Sequence, residues 1–155
     1  MTINVGAIGV GNCFAGLVQG IEYYRQNPEK KPIGLMHERI GDYRVFDLKF
    51  TSAFDVAENK IGKTIDEAIY QEPNCVDWLD KVSRINAVVC ESPILDGVGV
   101  YVEKKIKLIK QTKNDEELEK EIVRTIRQTD TEMLVNYLPV GSEKATRFWA
   151  EAALK

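Results

Sequence analysis

The stretch from Ile3 to Gly11 constrains this chain more than any other. INVGAIG is a short apolar run that closes on glycine, and Gly9-Val10-Gly11 leads straight into Phe14, Leu17, Val18, Ile21 and Tyr24, spaced as on one face of a helix. The pattern predicts a strand, a tight turn and an amphipathic helix that opens at Asn12. The first glycine frees the backbone to turn, and the second lets a ligand approach the main chain closely. The amides of Asn12 and Cys13 then sit at a helix start, where the dipole favours negative charge. A plain sharp turn needs the same glycines, so this pair alone leaves anion binding and simple turning both open.

Downstream, strands and helices alternate. The first helix fades at Asn27-Pro28, and residues 28–45, with Gly34 and Gly41 and no helical period, read as an inserted loop or hairpin. Phe46, Leu48 and Phe50 alternate with polar residues before Ser52-Ala53-Phe54 runs into Asp55, the pattern of a strand entering a buried sheet. Thr64–Tyr70 predicts a short helix, and Ile85–Cys90 a strand that breaks at Ser92-Pro93. Asp96-Gly97 is expected to open a helical stretch carrying Val102, Ile106 and Ile109 on one face. A second helix carries Leu118, Ile122, Val123 and Ile126, with Asn114 and Glu117 as its capping box. Met133–Leu138 reads as a strand, and Ser142 as the cap of a last helix bearing Ala145, Phe148, Trp149 and Ala152.

This alternation predicts an α/β fold: a Rossmann-like, doubly wound, mainly parallel sheet, with the ligand crevice at the C-terminal ends of the strands. The 155 residues, 44% apolar, suffice for one ordinary core, so residues 1–155 are read as one domain. The last helix finishes where the chain stops, and a sheet left incomplete at its C-terminal end is the expectation. The net charge of −3 and the lack of a basic patch argue against nucleic acid. No basic leader or long apolar run suggests a membrane, and Cys13, Cys75 and Cys90, odd in number and far apart, suit a reducing cytoplasm.

The chemistry centres on Asp55. A carboxylate ending the second strand can accept both hydroxyls of a dinucleotide's adenine ribose, and it favours NAD over NADP because it repels a 2′-phosphate. Asp55 stands 46 residues after Gly9 rather than the usual spacing of about 20, and the insertion at 28–45 accounts for the excess. A helix N-cap is its competing reading. Pro139, Gly141 and Ser142 shape a loop over the same crevice. His37 has no partner at ligand spacing, so no metal is expected. Trp78 and Trp149 lie in apolar patterns and are read as core rather than as stacking platforms. Cys13 and Cys90 are read as small buried groups without an adjacent base.

GVGNC, LVQGIEYY, GLMHERIGDYRVFDLKFTSAFDV, LDGVG and NYLPVGSE, in this order over nearly the whole chain, resemble the archaeal and bacterial type of myo-inositol-1-phosphate synthase. The resemblance implies an NAD-dependent isomerase that converts D-glucose 6-phosphate to 1D-myo-inositol 3-phosphate, a homotetramer when full length. It also implies that this chain is the NAD-binding part and that the catalytic and tetramerisation domain, with its lysine cluster, is absent. Lys104, Lys105 and Lys144 are accordingly given no catalytic role. Motif by motif, Gly9, Gly11, Asn12 and Cys13 would take the pyrophosphate, Asp55 the ribose, and Tyr137-Leu138-Pro139 would line the dinucleotide. Phe14 stands where the family pattern has a small residue and is expected to narrow the approach to phosphate. Two other readings remain: a free-standing NAD-binding or regulatory module, and an NAD-dependent dehydrogenase of the same fold.

Overall fold

A computed structural model describes residues 2–30, 33–99 and 103–155. Strand β1 (Ile3–Ile8) lies at the centre, followed by helix α1 (Asn12–Gln26). A small antiparallel hairpin, β2 (Arg39–Ile40) and β3 (Tyr43–Arg44), fills the expected insertion, and one 3-10 turn, Val45–Asp47, leads into β4 (Leu48–Asp55). Short helix α2 (Ile65–Ala68), strand β5 (Val89–Glu91), helix α3 (Asp115–Gln128), strand β6 (Met133–Asn136) and helix α4 (Glu143–Ala153) complete the described elements. Among them no helix is long and apolar enough to cross a membrane.

The sheet order is β5-β4-β1-β6 and every pairing in it is parallel. Such a sheet must be covered on both faces, because its strands are apolar on both sides. Val5, Ala7, Phe14, Val18, Ile21, Phe50 and Ile65 form one core between the sheet and α1 with α2. Ile8, Phe54, Ile122, Trp149 and Ala152 form the other, against α3 and α4. The fold is therefore the doubly wound α/β arrangement, and β4, β1 and β6 deliver their C-terminal ends side by side. A register shift between Val5 and Gly6 lets β1 pass Ser52 and Leu134 closely: a Cβ at Gly6 would lie 2.5 Å from Ser52 Oγ and 2.6 Å from Leu134 Cδ2.

Several expectations need correction. Of the helix expected from Asp96 through Ile109, residues 96–99 and 106–109 are not helical. Glu103 N donates to Gly99 O, but by Lys107 the chain is extended: Glu58 N donates to Lys107 O and Ile109 N to Val56 O, both at 2.9 Å, and Leu108 bridges Ala57 antiparallel. Val102 lies outside the described residues, as do Lys31 and Pro32 of the insertion. The strand expected from Ile85 pairs only at Val89–Glu91, and the one expected to reach Leu138 ends at Asn136.

Trp78 is not core. It is 72% exposed, its ring lying over the Cα of Gly16 on α1, whereas Trp149 is buried as expected. Cys13 and Cys75 are exposed, and Cys90 is half-buried. Ser142 does not cap α4, since its hydroxyl donates to Pro139 O at 2.6 Å. The α4 amides of Lys144 and Ala145 donate instead to Asp96, at 2.8 and 2.9 Å. The box at α3 is present in both directions: Glu117 N donates to Asn114 Oδ1 at 2.9 Å and Asn114 N to Glu117 Oε2 at 3.0 Å.

Candidate functional site

In a sheet of this topology a crevice opens where successive connections leave in opposite directions, here beyond the ends of β1, β4 and β6. A cleft of about 340 Å³ occupies that place. Gly9, Gly11, Asn12, Asp55, Tyr137, Leu138 and Pro139 all line it, so seven of the eight residues singled out in sequence converge on one cavity. Cys13 does not line it. Its side chain is exposed on the first turn of α1.

The turn at residues 9–11 is fixed from several sides. Gly9 has φ +88°, a conformation that L side chains rarely adopt, and a Cβ there would sit 3.2 Å from Tyr137 O. Gly9 N donates to Phe54 O and Tyr137 N to Ile8 O, both at 2.8 Å, which stitches the three strand ends together. Gly11 is different. It is extended, with φ −89°, it is the N-cap of α1, and a Cβ there would meet nothing within 4 Å. The fold leaves room at Gly11 that it does not itself use.

No side chain caps α1, and among the described residues the amides of Gly11, Asn12 and Cys13 donate to no acceptor in the chain. Unsatisfied helix-start amides with the positive end of the dipole behind them favour an anion. Phe14, expected to narrow this approach, is wholly buried. Its ring packs edge-on against Phe50 at 4.9 Å and tilted against Tyr137 at 6.0 Å, on the core side of α1. The larger side chain fills the interior and does not line the cleft.

Asp55 ends β4 facing the turn. Its Oδ2 accepts from Val10 N at 2.6 Å, and its Oδ1 accepts from Val56 N and Ala57 N at 2.8 and 2.9 Å. Among the described residues it thus caps a backbone turn rather than an α-helix, and its remaining lone pairs border the cleft. Tyr137 stands across from it, its phenol pushed above the ordinary range by burial and then by the nearby Cys13.

Three residues of this site have no part in the site as read from sequence. Lys60 is buried, only 4% exposed, and its ammonium donates to Val10 O at 2.7 Å and Asn74 Oδ1 at 2.9 Å. Burial lowers its pKa, and the charge of Asp55 opposes that shift. Asn74 Nδ2 adds bonds to Val10 O at 3.1 Å and Ile69 O at 3.0 Å. Asp96 is held below the ordinary carboxylate range first by the Ala145 amide and then by that of Lys144. For Asp96 a sequence signal existed, since Asp-Gly marks a local start, but the helix it caps lies 48 residues further on. Nothing in the sequence marks Lys60 as buried. Among the described residues no cluster of His, Cys, Asp and Glu is arranged to hold a metal.

No family model matches the chain. The inositol-3-phosphate synthase of Mycobacterium tuberculosis strain H37Rv is 39% identical over 153 residues, which span 98% of this chain and 40% of that relative. The protein of the same name from Mycolicibacterium smegmatis matches at 39% over the same shares, and that of Corynebacterium glutamicum at 38% over 156 residues, 99% and 41%. Among solved structures, that of Ari2 superposes with a TM-score of 0.80 at 27% identity, over 99% of this chain and 43% of that one. A myo-inositol-1-phosphate synthase-related protein from Thermotoga maritima superposes with a TM-score of 0.73 at 19% identity, over 99% and 44%, a likeness of fold alone. The chain spans about 40% of the length of the curated relatives it matches. Over that span the chain is similar in sequence to proteins named inositol-3-phosphate synthase.

Proposed function

We propose that this chain is the NAD-binding part of an isomerase that converts D-glucose 6-phosphate to 1D-myo-inositol 3-phosphate. The cyclisation itself would be carried out by residues in the remaining length of such a protein. One observation carries the reading. The uncapped start of α1, the vacant space at Gly11, the Asp55 carboxylate and the Tyr137–Pro139 loop all border a single cleft. That set fits a dinucleotide better than a small anion, because free helix-start amides and a carboxylate at the end of the neighbouring strand border one cleft.

When bound, NAD would supply hydride-transfer chemistry with no net change in redox state. This chain's residues bind and orient. The amides of Gly11 and Asn12 would hold the pyrophosphate, and Asp55, already fixed by three backbone amides, would accept ribose hydroxyls without having to be ordered. The same carboxylate disfavours a 2′-phosphate, so NAD is preferred over NADP. The loop after β6 walls the cleft from the far side. In the complete protein we take the assembly to be a homotetramer.

Calorimetric titration of the chain with NAD and NADP tests this. Saturable NAD binding, weaker NADP binding, and a loss of about tenfold or more in Asp55→Ala are expected. Joining the chain to the remaining part of the M. tuberculosis relative should then yield inositol phosphate from glucose 6-phosphate with no net NADH. An absence of saturable NAD binding would refute the reading.

A further inference from the structure

The cleft sets one buried cation against two carboxylates. Asp55 and Asp96 both line it, and a pyrophosphate would add further negative charge. Among the described lining residues Lys60 is the only cationic side chain. Lysine is almost never buried unless it is paired. Yet Lys60 is 4% exposed, and its two hydrogen-bond acceptors are a backbone carbonyl and a neutral amide rather than a carboxylate. A neutral donor could hold Val10 O equally well, so a charge kept in so costly a place points to an electrostatic role toward the anions of the cleft, Asp55 among them.

The geometry says what that charge does. Val10 is gripped on both sides: its N–H donates to Asp55 Oδ2, and its C=O accepts from Lys60 Nζ and Asn74 Nδ2. Because the peptide between Val10 and Gly11 is planar and trans, a carbonyl drawn toward Lys60 fixes the Gly11 N–H in the opposite direction. That N–H is one of the amides without an acceptor among the described residues.

We propose that Lys60 is the positioning cation of this site. It sets the Val10–Gly11 peptide so that the helix-start amides are presented as a group, and its charge offsets that of Asp55 and of the incoming pyrophosphate. The proposal rests on the reading of the cleft as a dinucleotide site. It separates Lys60 from a merely structural buried lysine, because the charge matters for phosphate and not for the nucleoside.

The test is calorimetric titration of the full chain with NAD, ADP and adenosine. Wild type, Lys60→Met and Asn74→Ala are compared, with circular dichroism and thermal melting confirming that each variant is folded. Lys60→Met should weaken NAD and ADP binding by about tenfold or more while adenosine changes by less than about twofold. Asn74→Ala keeps the ammonium and should lose less for ADP than Lys60→Met does. Should Lys60→Met fail to fold, Lys60→Gln, a donor without the charge, must show the same split between ADP and adenosine. Unchanged ADP affinity in the lysine variant, or an equal loss for ADP and adenosine, overturns the proposal while leaving NAD binding intact. A wild type that binds neither NAD nor ADP overturns both readings, and one that binds ADP but not NAD overturns only the functional one.

Discussion

The two glycines of the turn should separate stability from binding. Gly9→Ala forces a side chain into φ +88° and brings its Cβ to 3.2 Å from Tyr137 O and 3.3 Å from Tyr137 C. The backbone conformation alone costs about 1–2 kcal/mol, and displacing the Tyr137 carbonyl, which belongs to the wall of the cleft, raises the total to about 2–3 kcal/mol. For a domain of this size each kcal/mol lowers Tm by about 2–4 °C, so a fall of about 4–12 °C is expected. Gly11→Ala keeps an extended backbone that any residue adopts and meets nothing within 4 Å. Its cost is the poorer N-cap quality of alanine, up to about 1 kcal/mol. The new methyl nevertheless occupies the space that a pyrophosphate would need, and losing one or two charge-assisted bonds weakens NAD by about tenfold to a hundredfold. Urea unfolding and NAD calorimetry on both variants measure the two effects. A Gly11→Ala protein that binds NAD like wild type, or a Gly9→Ala protein as stable as wild type, would refute the reasoning.

Asp96 caps α4 as an anion held below its usual value of 3.8 by two backbone amides, so its contribution is fully present above that pH and is lost as acid takes the pH below it. Wild type should therefore exceed Asp96→Asn in urea-unfolding stability near neutral pH, with the difference shrinking as the pH falls below 3.8, and a difference independent of pH would remove the cap from the argument. Phe14→Leu should cost about 1 kcal/mol by loosening the contact with Phe50 and yet leave NAD affinity unchanged, since the ring faces the core. A shift in affinity would return Phe14 to the phosphate approach. Asn114→Ala removes one half of the capping box and should cost about 1 kcal/mol in denaturant unfolding, with no effect on NAD binding.

Much of the fold is legible because it depends on local periodicity and turn chemistry. The β1–turn–α1 unit, the strand into Asp55 and the capping box before α3 each depend on residues within a few positions of one another. The failures share a cause. Val102, Ile106 and Ile109 satisfy a helical spacing, but with Leu108 beside them the apolar residues of this segment suit other conformations too, and the backbone of Val56 and Glu58 offers it an extended partner. Trp78 sits in an apolar pattern, yet α1 has only a glycine beneath its ring, so it lies over the surface with most of its area in water.

The site divides the same way. Groups that face a ligand carry their own signature, because a glycine pair at a strand end, or an acid closing the next strand, is chosen for chemistry that a sequence displays. Groups that hold those residues from behind do not. Lys60 and Asn74 reach Val10 across 50 and 64 positions, and Asp96 reaches α4 across 48, so each is placed by the finished fold. A lysine in a polar turn reads as solvated until the carbonyl it grips is known. The supporting residues are thus the part of this site where mutation is most informative. Replacing Gly11 tests whether the turn takes NAD, whereas removing Lys60 tests how the turn would hold it.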